Sequence, residues 1–113
     1  MHWLLERIRE KSRDEYYLTI HGAPTWAIPN GDDMVELAAK MYEEPDELNE
    51  ISKRRVEEHV KMAEYFDSHG HLLDGFTLCS DYCFNVNPFF SDEMFDELIV
   101  PFLKEIIAEY RKM

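Results

Sequence analysis

The chain has 113 residues, 45% of them hydrophobic, with seven Phe, six Tyr and two Trp, which predicts one packed domain over residues 1–113 and leaves no room for a second. Twenty-four acidic side chains against 12 basic ones give a net charge of −12, which argues against binding nucleic acid or an anionic membrane, because both draw affinity from Lys and Arg on phosphate. No stretch is apolar for long enough to span a bilayer, and charge begins at Glu6, too early for a secretion signal, so the expected compartment is the cytoplasm with both cysteines reduced.

Taken in chain order, residues 2–13 read as a short amphipathic helix. Trp3, Leu4, Leu5 and Ile8 form its apolar side, and Glu6 with Arg9 and Glu10 with Arg13 are its expected ion pairs. That apolar side would pack on the core or on another subunit. Residues 16–21 are rich in strand formers and place Tyr16, Leu18 and Ile20 on one face. A turn at Gly22, Ala23 and Pro24 leads to a second strand that adds Trp26 and Ile28 to the same side. Asn30 or Asp32 caps a helix running to about Glu43, with Met34, Val35, Leu37, Ala38, Met41 and Tyr42. Pro45 suits the first position of a longer helix ending at Ser68, with Leu48, Ile51, Val56, Val60, Ala63 and Phe66 as its stripe and Gly70 as its stop.

Asp74 and Gly75 signal a turn. Residues 76–87 then alternate, with Phe76, Leu78, Tyr82, Phe84 and Val86 inward and Thr77, Cys79, Asp81, Cys83, Asn85 and Asn87 outward, as in a half-buried strand or hairpin. Ser91 caps the last helix, which carries the clearest apolar stripe and a kink at Pro101. The expected fold is α+β: a small antiparallel sheet of three to five strands with helices packed on one face, in the order α-ββ-αα-β(β)-α.

The charge is laid out unevenly. Residues 1–13 are net positive, with Arg7, Arg9, Lys11 and Arg13 against Glu6 and Glu10. One acidic block holds Asp32, Asp33, Glu36, Glu43, Glu44, Asp46, Glu47 and Glu50 against Lys40 alone. From Met62 to Leu103 there is no Lys or Arg, and that stretch ends in Asp92, Glu93, Asp96 and Glu97. Long runs of one sign repel themselves and are satisfied by a basic partner surface. Part of the excess has a local cause, because Asp32, Asp33, Asp46, Glu47, Asp92 and Glu93 fall in expected first helical turns, where they complement the helix dipole.

Other constellations are weaker. His69 and His71 precede Cys79 and Cys83, four residues of zinc-binding type, but at a spacing unlike the usual zinc motifs. On one continuous strand the two cysteines would lie about 13 Å apart; only a hairpin between them would bring them within the roughly 7 Å a disulfide needs. His59, His69 or His71 with Glu58, Asp67, Asp74 or Asp81 could form a general base, yet no nucleophile elbow, phosphate loop or HExxH is present, and solvent-facing histidines are the plainer reading.

The leading expectation is therefore an acidic protein-protein interaction module, an inhibitor or regulator without enzymatic chemistry, metal or cofactor. It would bind a basic partner surface such as that of a nuclease or DNA-binding protein by imitating nucleic-acid charge. Small acidic inhibitors of restriction and CRISPR enzymes work this way; the likeness is one of size and charge, and no motif carries it. The expected contact residues are Asp32, Asp33, Glu36, Tyr42, Glu43, Glu44, Asp46, Glu47, Glu50, Phe90, Asp92, Glu93, Asp96 and Glu97, with Tyr42 and Phe90 as aromatic anchors. The alternative is a small enzyme or a ligand- or metal-binding domain using the outer sheet face (His21, Cys79, Asp81, Cys83) or the loop from His69 to His71. A homodimer is a further possibility.

Overall fold

A computed structural model describes residues 1–83 and 86–113; the strand positions expected for Phe84 and Asn85 lie outside the described residues. The elements, in order, are α1 (His2–Ser12), β1 (Thr19–Gly22), α2 (Asp33–Glu43), α3 (Pro45–Ser68), β2 (Gly75–Leu78), α4 (Asp92–Leu98) and α5 (Val100–Arg111). The fold is mainly helical around a long axis. Its radius of gyration is 16.7 Å, against about 13 Å for a compact chain of this length. That axis is α3, whose 24 residues extend about 36 Å.

The expected antiparallel sheet is not what forms. Among the described residues the only sheet has two strands, β1 and β2, and they pair in parallel from Thr19 opposite Gly75 to Gly22 opposite Leu78. The chain does not turn back after Gly22, because Pro24, Thr25 and Trp26 run into the interior and are buried. It returns to the sheet only after α2 and α3, and such a crossover delivers a parallel strand. Asp74 is accordingly not a hairpin turn but the start of the ladder. Its backbone N–H donates to Leu18 O at 2.8 Å, and its carboxylate accepts from Leu18 N–H at 2.7 Å and from Arg9 at 2.8 Å. The Leu18 N–H first, and Arg9 second, hold that carboxyl below the usual carboxylate range.

The alternation over residues 76–87 also misleads. β2 ends at Leu78, and the antiparallel pairing beyond it is an isolated bridge from Cys83 to Pro88 rather than a hairpin between the cysteines. Val86, assigned inward by the pattern, is 86% exposed. Tyr16, also assigned inward, is 65% exposed.

The helices follow the sequence more closely. Pro45 opens α3, and Ser91 caps α4 by accepting from Met94 N–H at 3.2 Å. The expected single last helix is broken rather than kinked. α4 ends at Leu98, Ile99 departs from helical geometry at φ −117°, and Pro101 lies in the first turn of α5. Pro101 has no N–H for the carbonyl of Glu97 and its ring would press on it. Gly70 does not stop α3 in a left-handed conformation; among the described glycines only Gly31 has positive φ.

The principal core lies at the α3 N-terminal end, where Trp26, Leu37, Met41, Leu48, Phe90, Leu98 and Ile99 pack together. Each Leu or Ile buried there contributes about 1.5–3 kcal/mol. The other end is built from Phe66, Leu72 and Ile106, with Phe76 stacked on Tyr110 at 3.9 Å. There α1 lies against the chain without burying any residue. It is held by Arg9 on Asp74 and on the Leu72 carbonyl, and by His2 on the Tyr65 hydroxyl. Arg9 is thus taken by Asp74 rather than by Glu6, while Glu10 pairs with Arg7 instead of Arg13.

Candidate interaction surface

The two acidic blocks, separate in sequence, meet at one end of the molecule. Leu37 and Met41 from α2, Leu48 from α3 and Leu98 from α4 enter the same core, so these three helices carry Asp33, Glu36, Glu43, Asp46, Glu47, Glu50, Asp92, Glu93, Asp96 and Glu97 around a common centre. Asp32 and Glu44 flank α2. All twelve carboxylates are exposed. Among the described residues only two of them are in ion pairs: Glu47 with Lys40 at 3.3 Å and Glu50 with Lys53 at 2.9 Å. The hydrogen bonds from Lys40 and from Lys53 hold those two carboxyls below the usual range.

The helix dipole accounts for only part of this charge. Asp33, Glu36, Asp46, Glu47, Asp92 and Glu93 do sit in first turns. Glu43, however, is the last residue of α2, and Asp96 and Glu97 stand in the last turn of α4, where no basic side chain accompanies them. At a helix C-terminus the helix's own dipole opposes a negative charge, although the N-termini of α3 and α5 follow directly after α2 and α4 and offset part of this at Glu43 and Glu97.

An apolar strip runs through the acids. Val35 and Tyr42, seven residues apart on α2 and so on one side of it, are 74% and 76% exposed. Ala39 lies exposed between them, with Asp32, Glu36 and Glu43 along the adjoining edge. This gives a small apolar centre with an acidic border. Of the two expected aromatic anchors, Tyr42 is available and Phe90 is not: Phe90 is 7% exposed and packs edge-on against Trp26 at 5.6 Å. The signal for Phe90 was ambiguous because an aromatic beside a loop reads alike as anchor or as core. Val35 was missed because the same 3.6-residue period assigned it to the buried side.

The other constellations separate in space. Cys79 and Cys83 are free and exposed; Asp81 is engaged locally, accepting from Cys83 N–H at 3.1 Å. His69 stacks on Tyr65 at 4.5 Å while His71 is exposed. Among the described residues no group of three or more His, Cys, Asp or Glu is placed to hold a metal ion. No helix among them is long and apolar enough to cross a membrane.

His59 departs from the solvent-facing reading. It is 4% exposed and lies on the inner side of α3. Its Nε2 lies 2.9 Å from the Ala23 carbonyl, which only accepts, so Nε2 carries the hydrogen; its Nδ1 meets the Tyr110 hydroxyl at 2.5 Å. Burial pushes the Tyr110 phenol up to about 12, which keeps its proton available to donate to Nδ1. A cleft of about 290 Å³ borders Tyr110 and is walled by Phe66, Asp74 and Phe76 among others. The polar groups of Asp74 and Tyr110 are already committed to Leu18, Arg9 and His59, so the pair reads as a buried polar clasp between α3, α5 and the segment after β1.

No family model matches the chain, and no match is found among curated proteins or solved structures.

Proposed function

We propose that this chain is a binding protein whose acidic end engages a basic surface on a partner, acting as an inhibitor or regulator of a protein that itself handles nucleic acid. The observation that carries this reading is the strip of Val35, Ala39 and Tyr42 bordered by the exposed carboxylates of Asp32, Glu36 and Glu43, which make no ion pair among the described residues. An apolar centre with a charged rim is the ordinary anatomy of a protein interface. The rim sets association rate and salt sensitivity, and a buried Tyr supplies affinity. A surface of closely spaced carboxylates suits a site built for phosphates.

The test is affinity capture from the native host's lysate, run side by side on the wild-type chain, on the triple variant Glu43→Lys, Glu44→Lys, Glu47→Lys, and on Tyr42→Ala. A basic protein held by the wild type, released at moderate salt, displaced by duplex DNA and lost from both variants supports the reading. A partner bound equally by the charge-reversed variant, or none at all, overturns it.

A further inference from the structure

We infer that the chain associates with itself head to tail, the exposed face of α1 in one copy docking on the α2 face of the next. This goes beyond the partner-binding reading and does not depend on it; a second copy and a basic partner would compete for the same α2 face.

The first half of the argument is α1. Trp3, Leu4 and Ile8 are 73%, 51% and 40% exposed. A helical turn of 100° per residue places Arg7 and Lys11 between them on the same side. The opposite side, through His2, Arg9 and the half-buried Leu5 and Ser12, is the one fastened to the rest of the chain. Glu6 and Glu10 stand at the edge and are paired to His2 and Arg7. So the outward face of α1 is apolar with cations at its centre, in a protein whose net charge is −12.

The second half is that the matching surface exists on the same molecule. The face of α2 offers Val35, Ala39 and Tyr42 beside Asp32, Glu36 and Glu43. Both faces are one helix wide and set apolar side chains against charge: the α1 face carries Lys11 and Arg7, the latter paired to Glu10 at its edge, and the α2 face carries carboxylates. A chain cannot pair its own two faces. α1 is held at Tyr65, in the last turn of α3, and at Asp74 beyond it, whereas α2 is held near Leu48, in its first turn. From residue 48 to residue 65 the helix rises about 25 Å. A second copy therefore supplies the match for each face. Because the two faces differ, the contact is heterologous and grows from copy to copy unless it closes into a ring.

Sedimentation velocity on the purified full chain, over a concentration series at low and high salt, tests this without any partner. Two variants accompany it, Arg7→Glu/Lys11→Glu and Glu36→Lys/Glu43→Lys, both on exposed positions and checked for helix content by circular dichroism. Wild type should gain mass with concentration, more so at low salt. Each variant alone should stay monomeric, since like charges face to face weaken such a contact more than about tenfold. Mixed, the variants should associate again, because the first keeps a native α2 face and the second a native α1 face, and the two reversed faces are also opposite in charge. A wild type that remains monomeric throughout overturns the inference; if it then binds phosphatidylglycerol vesicles through Trp3, the α1 face belongs to a lipid surface. Self-association that survives either variant, or variants that do not complement each other, also overturns it.

Discussion

A Cβ placed on Gly22 would lie 2.5 Å from Cε1 of His59. The end of β1 and the middle of α3 approach so closely that only glycine fits between the strand and the imidazole. Gly22→Ala must push back a ring that is held on both nitrogens, by Ala23 and by Tyr110. The expected cost is about 1–3 kcal/mol, the usual range for overpacking a well-filled interior. In a His59→Ala background most of that cost should vanish. Denaturant unfolding of the two single variants and the double gives the coupling. An alanine equally costly in both backgrounds would place the crowding somewhere other than the ring.

The other side of the clasp gives a pH dependence. The Tyr110 phenol, ordinarily ionising near 10.0, is pushed up to about 12 by burial. The folded state thus holds this proton more tightly than the unfolded state does. The stabilisation is complete below pH 10 and is lost as pH rises through about 12. Tyr110→Phe removes the donor to His59, with an expected cost of about 1 kcal/mol at neutral pH, and it flattens the alkaline fall in stability. Unfolding midpoints measured across that range, with tyrosinate absorbance followed in parallel, decide it. An alkaline fall unchanged in Tyr110→Phe would assign it to another group.

The contrast between what the sequence foretold and what forms has a physical basis. Pro45 and Ser91 act through bonds within one helical turn, so their roles are legible from neighbours alone. The acidic blocks are likewise legible as composition. The sheet is not, because strand direction depends on where the chain goes after Gly22, and burial of Thr25 and Trp26 decided that. Residues 76–87 alternate cleanly, yet β2 stops at Leu78, since alternation describes the side chains and says nothing of a strand to pair with. His59 and Ser52 occupy the inner stripe of α3 where Val56 and Val60 were expected, and a periodicity search that counts only apolar residues passes over both. That the acids converge on one core required the packing of α2, α3 and α4.

Ser52 is the second polar residue in that stripe and differs from His59 in having no partner. It is fully buried, at 0% exposure, and its Oγ has no hydrogen-bond partner among the described residues. A buried hydroxyl left unpaired costs about 1–3 kcal/mol, while the cavity left by removing one oxygen is small. Ser52→Ala is therefore expected to stabilise the fold by about 1 kcal/mol, and alanine also has the better helix propensity. A higher unfolding midpoint at unchanged denaturant slope supports this; a lower one means the hydroxyl is satisfied by an internal water.

The acids at the wrong helix ends give the last prediction, and it bears on function. Glu43 terminates α2, and Asp96 and Glu97 stand in the last turn of α4. There each meets the negative end of its own helix's dipole, offset in part at Glu43 and Glu97 by the start of the next helix, and the like charge of its neighbours. If these residues are present for binding, their replacement should improve the isolated fold. Glu43→Lys, Asp96→Lys and Glu97→Lys are each expected to raise the melting temperature, by about 0.3–1 kcal/mol of stability at low ionic strength, with the gain shrinking as salt screens it. The same substitutions should weaken capture of a basic partner. Opposite signs for stability and binding would mark a surface where folding and function compete. A fall in melting temperature would mean that these carboxylates hold local structure, and the excess charge at this end would lose its strongest argument for a partner.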